Sequence, residues 1–104
     1  MSTAYDLIKQ AILERKQVTA IYDGRYRELC PHQLGTNKEG RYQCLFYQFG
    51  GDSSSGPVVD GGLDNWRCLP LDGLVDVHLR DGEWHSAPNY ENPASCLEKA
   101  ICCV

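Results

Sequence analysis

Over the first fifteen positions apolar residues return every three or four places, at Ala4, Leu7, Ile8, Ala11 and Ile12, while Lys9, Glu14, Arg15 and Lys16 fall off that stripe. This spacing predicts an amphipathic helix buried along one face. Thr3 is placed to cap it, with Asp6 three residues on, close to a capping box. At Val18 the period shortens. Val18-Thr19-Ala20-Ile21-Tyr22 is β-branched and aromatic, Asp23-Gly24 is a two-residue turn signal, and Arg25 to Cys30 returns as a second strand. Pro31 predicts a bend before a short third strand at 32–36, and Asn37-Lys38-Glu39-Gly40 reads as a turn.

Arg41 to Phe49 is the most strand-like stretch of the chain. Cys44, Leu45, Phe46, Tyr47 and Phe49 leave neither face polar, which predicts a strand covered on both sides or one curling round a barrel. Residues 50–62 are almost entirely Gly, Ser, Asp and Pro and predict a flexible loop, inserted between strands. Further strands are expected at Asn65 to Leu69 and Leu74 to Leu79. In the second of these Val75, Val77 and Leu79 are expected to face in, and Asp76 and His78 out. Beyond Trp84 the chain becomes an extension (85–104). There Asn92-Pro93 reads as a helix start, with Leu97, Ala100, Ile101 and Val104 as the stripe of a short C-terminal helix. One helix followed by five or six short strands is the pattern of a mainly β (α+β) domain, a small antiparallel barrel with its edges closed. Residues 1–104 read as one domain.

Composition narrows the function classes. Ten Lys and Arg stand against 14 Asp and Glu, a net charge of −4, so a general basic coat for duplex DNA is excluded. The balance is uneven: residues 1–50 carry seven basic and five acidic side chains, the rest three and nine. No apolar run of membrane-spanning length and no leader is visible, so a cytoplasmic protein without a membrane partner is expected. In that setting the six cysteines are expected as thiols, with Cys44 and Cys68 as small core residues and Cys102-Cys103 at a frayed end. Their spacing nominates no metal site, and no cofactor is expected.

The run Val18 to Tyr22, Arg27 to Pro31, Leu34-Gly35, Gly40 to Tyr47 and Trp66-Arg67 to Val77 resembles the WYL domain, across about residues 7–80. The tripeptide that names that family falls on Tyr42-Gln43-Cys44 here, and Pro70 and Gly73 stand where the family often has arginine. The resemblance implies an SH3/Sm-like β-barrel of bacterial regulators that senses a ligand, nucleotides and nucleic-acid pieces being the favoured class.

Arg27 and Arg67 sit at family-matched positions, with Arg25 and Arg41 in neighbouring segments. A guanidinium suits phosphate because its planar fork donates paired hydrogen bonds and keeps its charge. Tyr26, Tyr42, Tyr47 and Trp66 are candidates to stack on bases. The expected function is thus a non-enzymatic regulatory module for a small anionic ligand or short single-stranded nucleic acid. The alternative is an oligomerisation or protein-docking domain, a homodimer or the partner of a regulatory protein. For catalysis, only Cys30 with His32 and Asp76 with His78 share a strand face, and neither pair has a third orienting group.

Overall fold

A computed structural model describes residues 3–53, 56–58, 62–90, 94 and 96–104. Helix α1 spans Ala4–Glu14, capped at Thr3, whose side chain accepts from the Asp6 amide at 3.2 Å. It ends at Arg15, in the left-handed region with φ 55°, and buries Ile8, Ala11 and Ile12, the face its periodicity marks. Strands β1 (Gln17–Tyr22) and β2 (Arg25–Thr36) form a hairpin across Asp23 and Gly24, both at positive φ. That is the conformation a two-residue turn needs to match strand twist, and the reason Asp-Gly works there.

β2 continues straight through Pro31 for 12 residues, so the expected bend and separate third strand are one strand. The missing Pro31 amide is tolerated because β1 pairing ends at Leu29 and the next neighbour on that edge begins at Gln33. A register shift against β3 (Tyr42–Ser53) absorbs the irregularity between Pro31 and Gln33. β3 reaches into the expected loop and meets the two-residue strand β4 (Gly56–Pro57). Residues 54–55 and 59–61 of that loop lie outside the described residues.

β5 (Trp66–Pro70) pairs with β3, a 3-10 turn covers Leu71–Gly73, and β6 (Leu74–Arg80) pairs with β1. The main path is therefore β5-β3-β2-β1-β6, antiparallel throughout. It is an open sheet and not the closed barrel expected, because no ladder joins β5 to β6 among the described residues. Pro70 ends β5 with no amide to donate, and the 3-10 turn then carries the chain to the opposite edge. In β6, Asp76 adopts φ 52° where the pairing with β1 slips between Thr19 and Ile21. The slip breaks strict alternation. Val77 and Leu79 face in as expected, but Val75 is turned out and is 56% exposed.

The C-terminal helix expectation is also corrected. Lys99–Cys103 is a strand, β7, laid along β2 from Gln33 to Thr36. The open backbone of β2 beyond the end of β1 offers a hydrogen-bonding edge, which outweighs a four-residue apolar stripe. Gly35 is required there, since a Cβ would collide with the Lys99 carbonyl. Cys102 is partly buried against the core, so the end is paired rather than frayed. Asn92 and Pro93 lie outside the described residues.

One core joins Ile8, Ala11 and Ile12 to Val18, Leu29, Leu34, Cys44, Phe46 and Leu69 beneath the helix. Each large side chain withdrawn from water there contributes about 1.5–3 kcal/mol. The other side of the β2–β3–β5 surface is covered by the C-terminal segment, so β3 is indeed buried on both faces. Trp84 lies on His32, His85 stacks on Phe49, and Tyr90 stacks on Trp66. Cys68 is not a core thiol: it is bonded to Cys96 and ties this segment to β5. Cys44 is a core thiol as expected, fully buried, and burial pushes its pKa well up. No helix among the described residues is long and apolar enough to cross a membrane.

Candidate anion-binding site

Arg27 is positioned by the hairpin. The two-residue turn sets Tyr22 opposite Arg25 and Ala20 opposite Arg27, so Tyr22 is the diagonal neighbour of Arg27. The guanidinium carbon sits 5.2 Å from the centre of the Tyr22 ring. On the other side β3 brings Gly51 opposite Arg27 and Gln48 within reach, and Arg27 Nη1 donates to Gln48 Oε1 at 3.2 Å. The strands approach closely here: a Cβ on Gly51 would strike the Tyr26 carbonyl and the Arg27 Cα at 2.9 Å, and its φ of +80° also suits glycine. Gln48 is held in turn by its Nε2, which donates to the carbonyls of Gly50 at 3.0 Å and Asp52 at 2.6 Å.

The result is a guanidinium on a residue only 4% exposed, with no carboxylate bonded to it among the described residues. Its Nε is fully buried and has no hydrogen-bond partner among the described residues. Burial, followed by the positive charges of Arg67 and Arg25, pushes the Arg27 pKa down, with Asp23 opposing. The group nevertheless stays protonated at any physiological pH. A buried charge without a counter-charge is costly, by several kcal/mol when unrelieved.

The charges of Arg67 and Arg25 thus act on Arg27, Arg25 from the same strand and Arg67 from β5. Arg67 donates through Nη1 to the carbonyls of Asp64 at 2.7 Å and Trp66 at 3.1 Å, and it too makes no ion pair among the described residues. Arg25 bonds Asp23 at 3.1 Å. Among the described residues, Asp23 is the one carboxylate bonded to any of these three guanidinium groups.

The remaining candidates are elsewhere. Arg41 and Tyr42 line a cleft of about 230 Å³ with Leu71 and Asp72, and Tyr42 packs on Tyr5 at 4.9 Å. Tyr42 pairs with Thr36, at the opposite end of the β2–β3 ribbon from Arg27 and Gly51. Tyr47 is fully buried, its hydroxyl donating to the Gly62 carbonyl at 3.0 Å. Trp66 has Tyr90 stacked on it at 5.4 Å, with Tyr47 and His32 ring contacts besides, and its Nε1 donates to Asn89. Tyr47 is thus enclosed, and one face of the partly buried Trp66 is taken by Tyr90. Tyr26 remains about half exposed.

His32 forms a second buried polar centre. Its Nδ1 faces the Cys30 carbonyl at 2.8 Å and so carries the proton; Nε2 then accepts from the Ser86 hydroxyl at 2.9 Å. The Cys30 thiol accepts the His85 amide at 3.3 Å, and His32 meets the Cys30 carbonyl through Nδ1. Ser86 with His32 has the geometry of a nucleophile and its base, but burial lowers the imidazole pKa to about 4 and no carboxylate backs Nδ1. The imidazolium that a general base must become is disfavoured there. Asp76 and His78 lie exposed on β6. Among the described residues no group of three or more His, Cys, Asp or Glu could hold a metal ion.

Sequence reasoning missed Tyr22 and Gln48. Tyr22 was within reach, since the Asp23-Gly24 turn dictates its register with Arg27. Gln48 was not, because register shifts at Glu28/Leu29 and Pro31/Gln33 move β3 against β2.

Comparison with known proteins found no family model, no curated protein and no solved structure that matches this chain.

Proposed function

We propose that the chain is a WYL-like, ligand-sensing module that binds a small anionic ligand, such as a nucleotide or a short single-stranded nucleic acid, at Arg27. One observation carries this: Arg27 is buried and charged, and neither it nor a second arginine whose charge acts on it has a bonded carboxylate among the described residues. A buried charge left without a counter-charge is costly, and an oxyanion bound beside it would offset that cost. The path β5-β3-β2-β1-β6, a helix ahead of β1 and a 3-10 turn between β5 and β6 support the SH3/Sm-type reading of the fold. The module is read as non-enzymatic, and Arg27 and Arg67 as its principal ligand contacts with Arg25 contributing field.

A labelled single-stranded oligonucleotide titrated at low and high salt tests the reading. Binding that weakens with salt and is lost in Arg27→Ala is the expected result. Absence of binding at low salt would reject it in favour of a docking module. The cytoplasmic location expected from the sequence stays a proposal, and the Cys68–Cys96 bridge weighs against it, since a reducing cytosol keeps thiols open. Counting alkylatable thiols in protein taken directly from cells decides the compartment.

A further inference from the structure

Beyond β6 the chain runs as a strap over one side of the sheet, and among the described residues it is tied there covalently at one place. That tie is the Cys68–Cys96 bridge, between β5 and the strap. Ahead of the bridge the strap is held by ring contacts and single hydrogen bonds. His85 stacks on Phe49, Tyr90 stacks on Trp66, and Asn89 Oδ1 accepts from Trp66 Nε1 at 2.8 Å. Behind the bridge, β7 lies on the edge of β2 that β1 leaves open. Among the described residues, none of 81–98 belongs to the core beneath α1. A layer of this kind can open as a unit while the core stays folded.

The bridge is also within reach of solvent. Both cysteines are only partly buried. Cys96 lines an open cleft of about 340 Å³, together with residues 37–39 of the β2–β3 turn, Gln43, Leu97 and Glu98. Thiol–disulfide exchange needs that access, because a thiolate must reach one of the two sulfurs.

We propose that Cys68–Cys96 is a redox latch: a dithiol entering this cleft opens it, and the strap with β7 then lifts from the sheet while the core beneath α1 stays intact. The attacking thiolate bonds to Cys96 Sγ, the S–S bond breaks, and Cys68 leaves as a thiolate that takes up a proton. The second thiol of the reductant, deprotonated, displaces Cys96 from the mixed disulfide. Two electrons and two protons pass to the bridge, and the reductant leaves as a disulfide. Opening withdraws Tyr90 from Trp66 and β7 from residues 33–36 of β2. The redox state thus decides whether a ring face and a strand edge are covered.

Treating the native protein with reduced dithiothreitol, without denaturant, tests this, read by thiol alkylation and by amide hydrogen exchange. The expected result is a gain of two thiols and exchange in β7 faster by about tenfold or more. Exchange in α1 and the β1–β2 hairpin should stay as it was, and reoxidation should restore β7. The double variant Cys68→Ser/Cys96→Ser is expected to show the fast β7 exchange from the outset, with no response to dithiothreitol. Should it fail to fold, the reduced wild-type chain carries the test. A bridge that yields only in denaturant overturns the proposal, since the cleft then gives no access. Reduction that leaves β7 exchange unchanged overturns it too, because the bridge then fastens nothing. Faster exchange through α1 and the hairpin as well makes the bridge a staple of the whole fold and contradicts a latch.

Discussion

Arg27 and His32 lie five positions apart on the same strand, both are almost wholly buried, and their surroundings have opposite character. His32 has a partner on each ring nitrogen and is enclosed by Trp66, Trp84 and Tyr90, with centroids 4.8, 4.9 and 5.0 Å away. Its burial is affordable because an imidazole can shed its charge. A guanidinium cannot. Arg27 therefore keeps a positive charge in a place where one donor meets no acceptor among the described residues. A completed polar centre reads as architecture, and an uncompleted one as a site. The same strand carries both because its two halves meet different covers: the C-terminal segment closes over His32, while Arg27 sits where β2 faces the Gly50-Gly51 stretch of β3.

That contrast can be broken in order of effect. His32→Ala removes a fully enclosed ring and both its hydrogen bonds, and is expected to cost about 3–5 kcal/mol in denaturant unfolding. A loss below about 1 kcal/mol would show that the aromatic cluster is not load-carrying. Next comes acidity. With a folded pKa of about 4 against an ordinary 6.5, the unfolded chain binds the His32 proton more readily. Stability from this residue is constant above the ordinary value, falls as the pH is lowered through the interval to about 4, and is flat again below. The total is about 3 kcal/mol. In a folded His32→Gln variant this segment of the stability–pH curve should flatten. Arg27→Met, by contrast, removes a buried unpaired charge and is expected to leave unliganded stability within about 1 kcal/mol of wild type or to raise it. A loss comparable to that at His32 would mean Arg27 is as structural as its neighbour. Smallest of all, Arg41→Ala at the far end of the ribbon should change unfolding free energy by less than about 0.5 kcal/mol and anion affinity by less than about twofold.

Local features of the fold were readable from the chain wherever one signal dominated. Thr3 with Asp6 and the 3.6-residue stripe marked α1; Asp23-Gly24 set the first hairpin and its register; the apolar run at 44–49 announced a strand covered twice. What failed depended on pairing between distant segments. Pro31 reads as a bend until one sees that the β1 ladder has already ended beside it. Val75 reads as inward until the bulge at Asp76 shifts it. Leu97, Ala100, Ile101 and Val104 fit a helix, but the unfilled edge of β2 claims Lys99–Cys103 as a strand. The Cys68–Cys96 bond was invisible for the same reason, since spacing alone does not select a pair among six cysteines. At the site, the charges of Arg67 and Arg25 reach Arg27, whereas Tyr47 is buried and Trp66 carries Tyr90 stacked on it. Aromatic residues on a strand look alike in sequence whether a tail covers them or not.

The central claim is that the charge on Arg27 is completed by an anion from outside the chain. Thermal unfolding in increasing inorganic phosphate, at constant ionic strength set with chloride, measures this for wild type and Arg27→Met side by side. Ligand binding to the folded state alone raises stability by RT ln(1 + [L]/Kd), so the wild-type midpoint should climb with phosphate while the variant's stays level. Parallel curves for the two proteins, rising or flat, would contradict it.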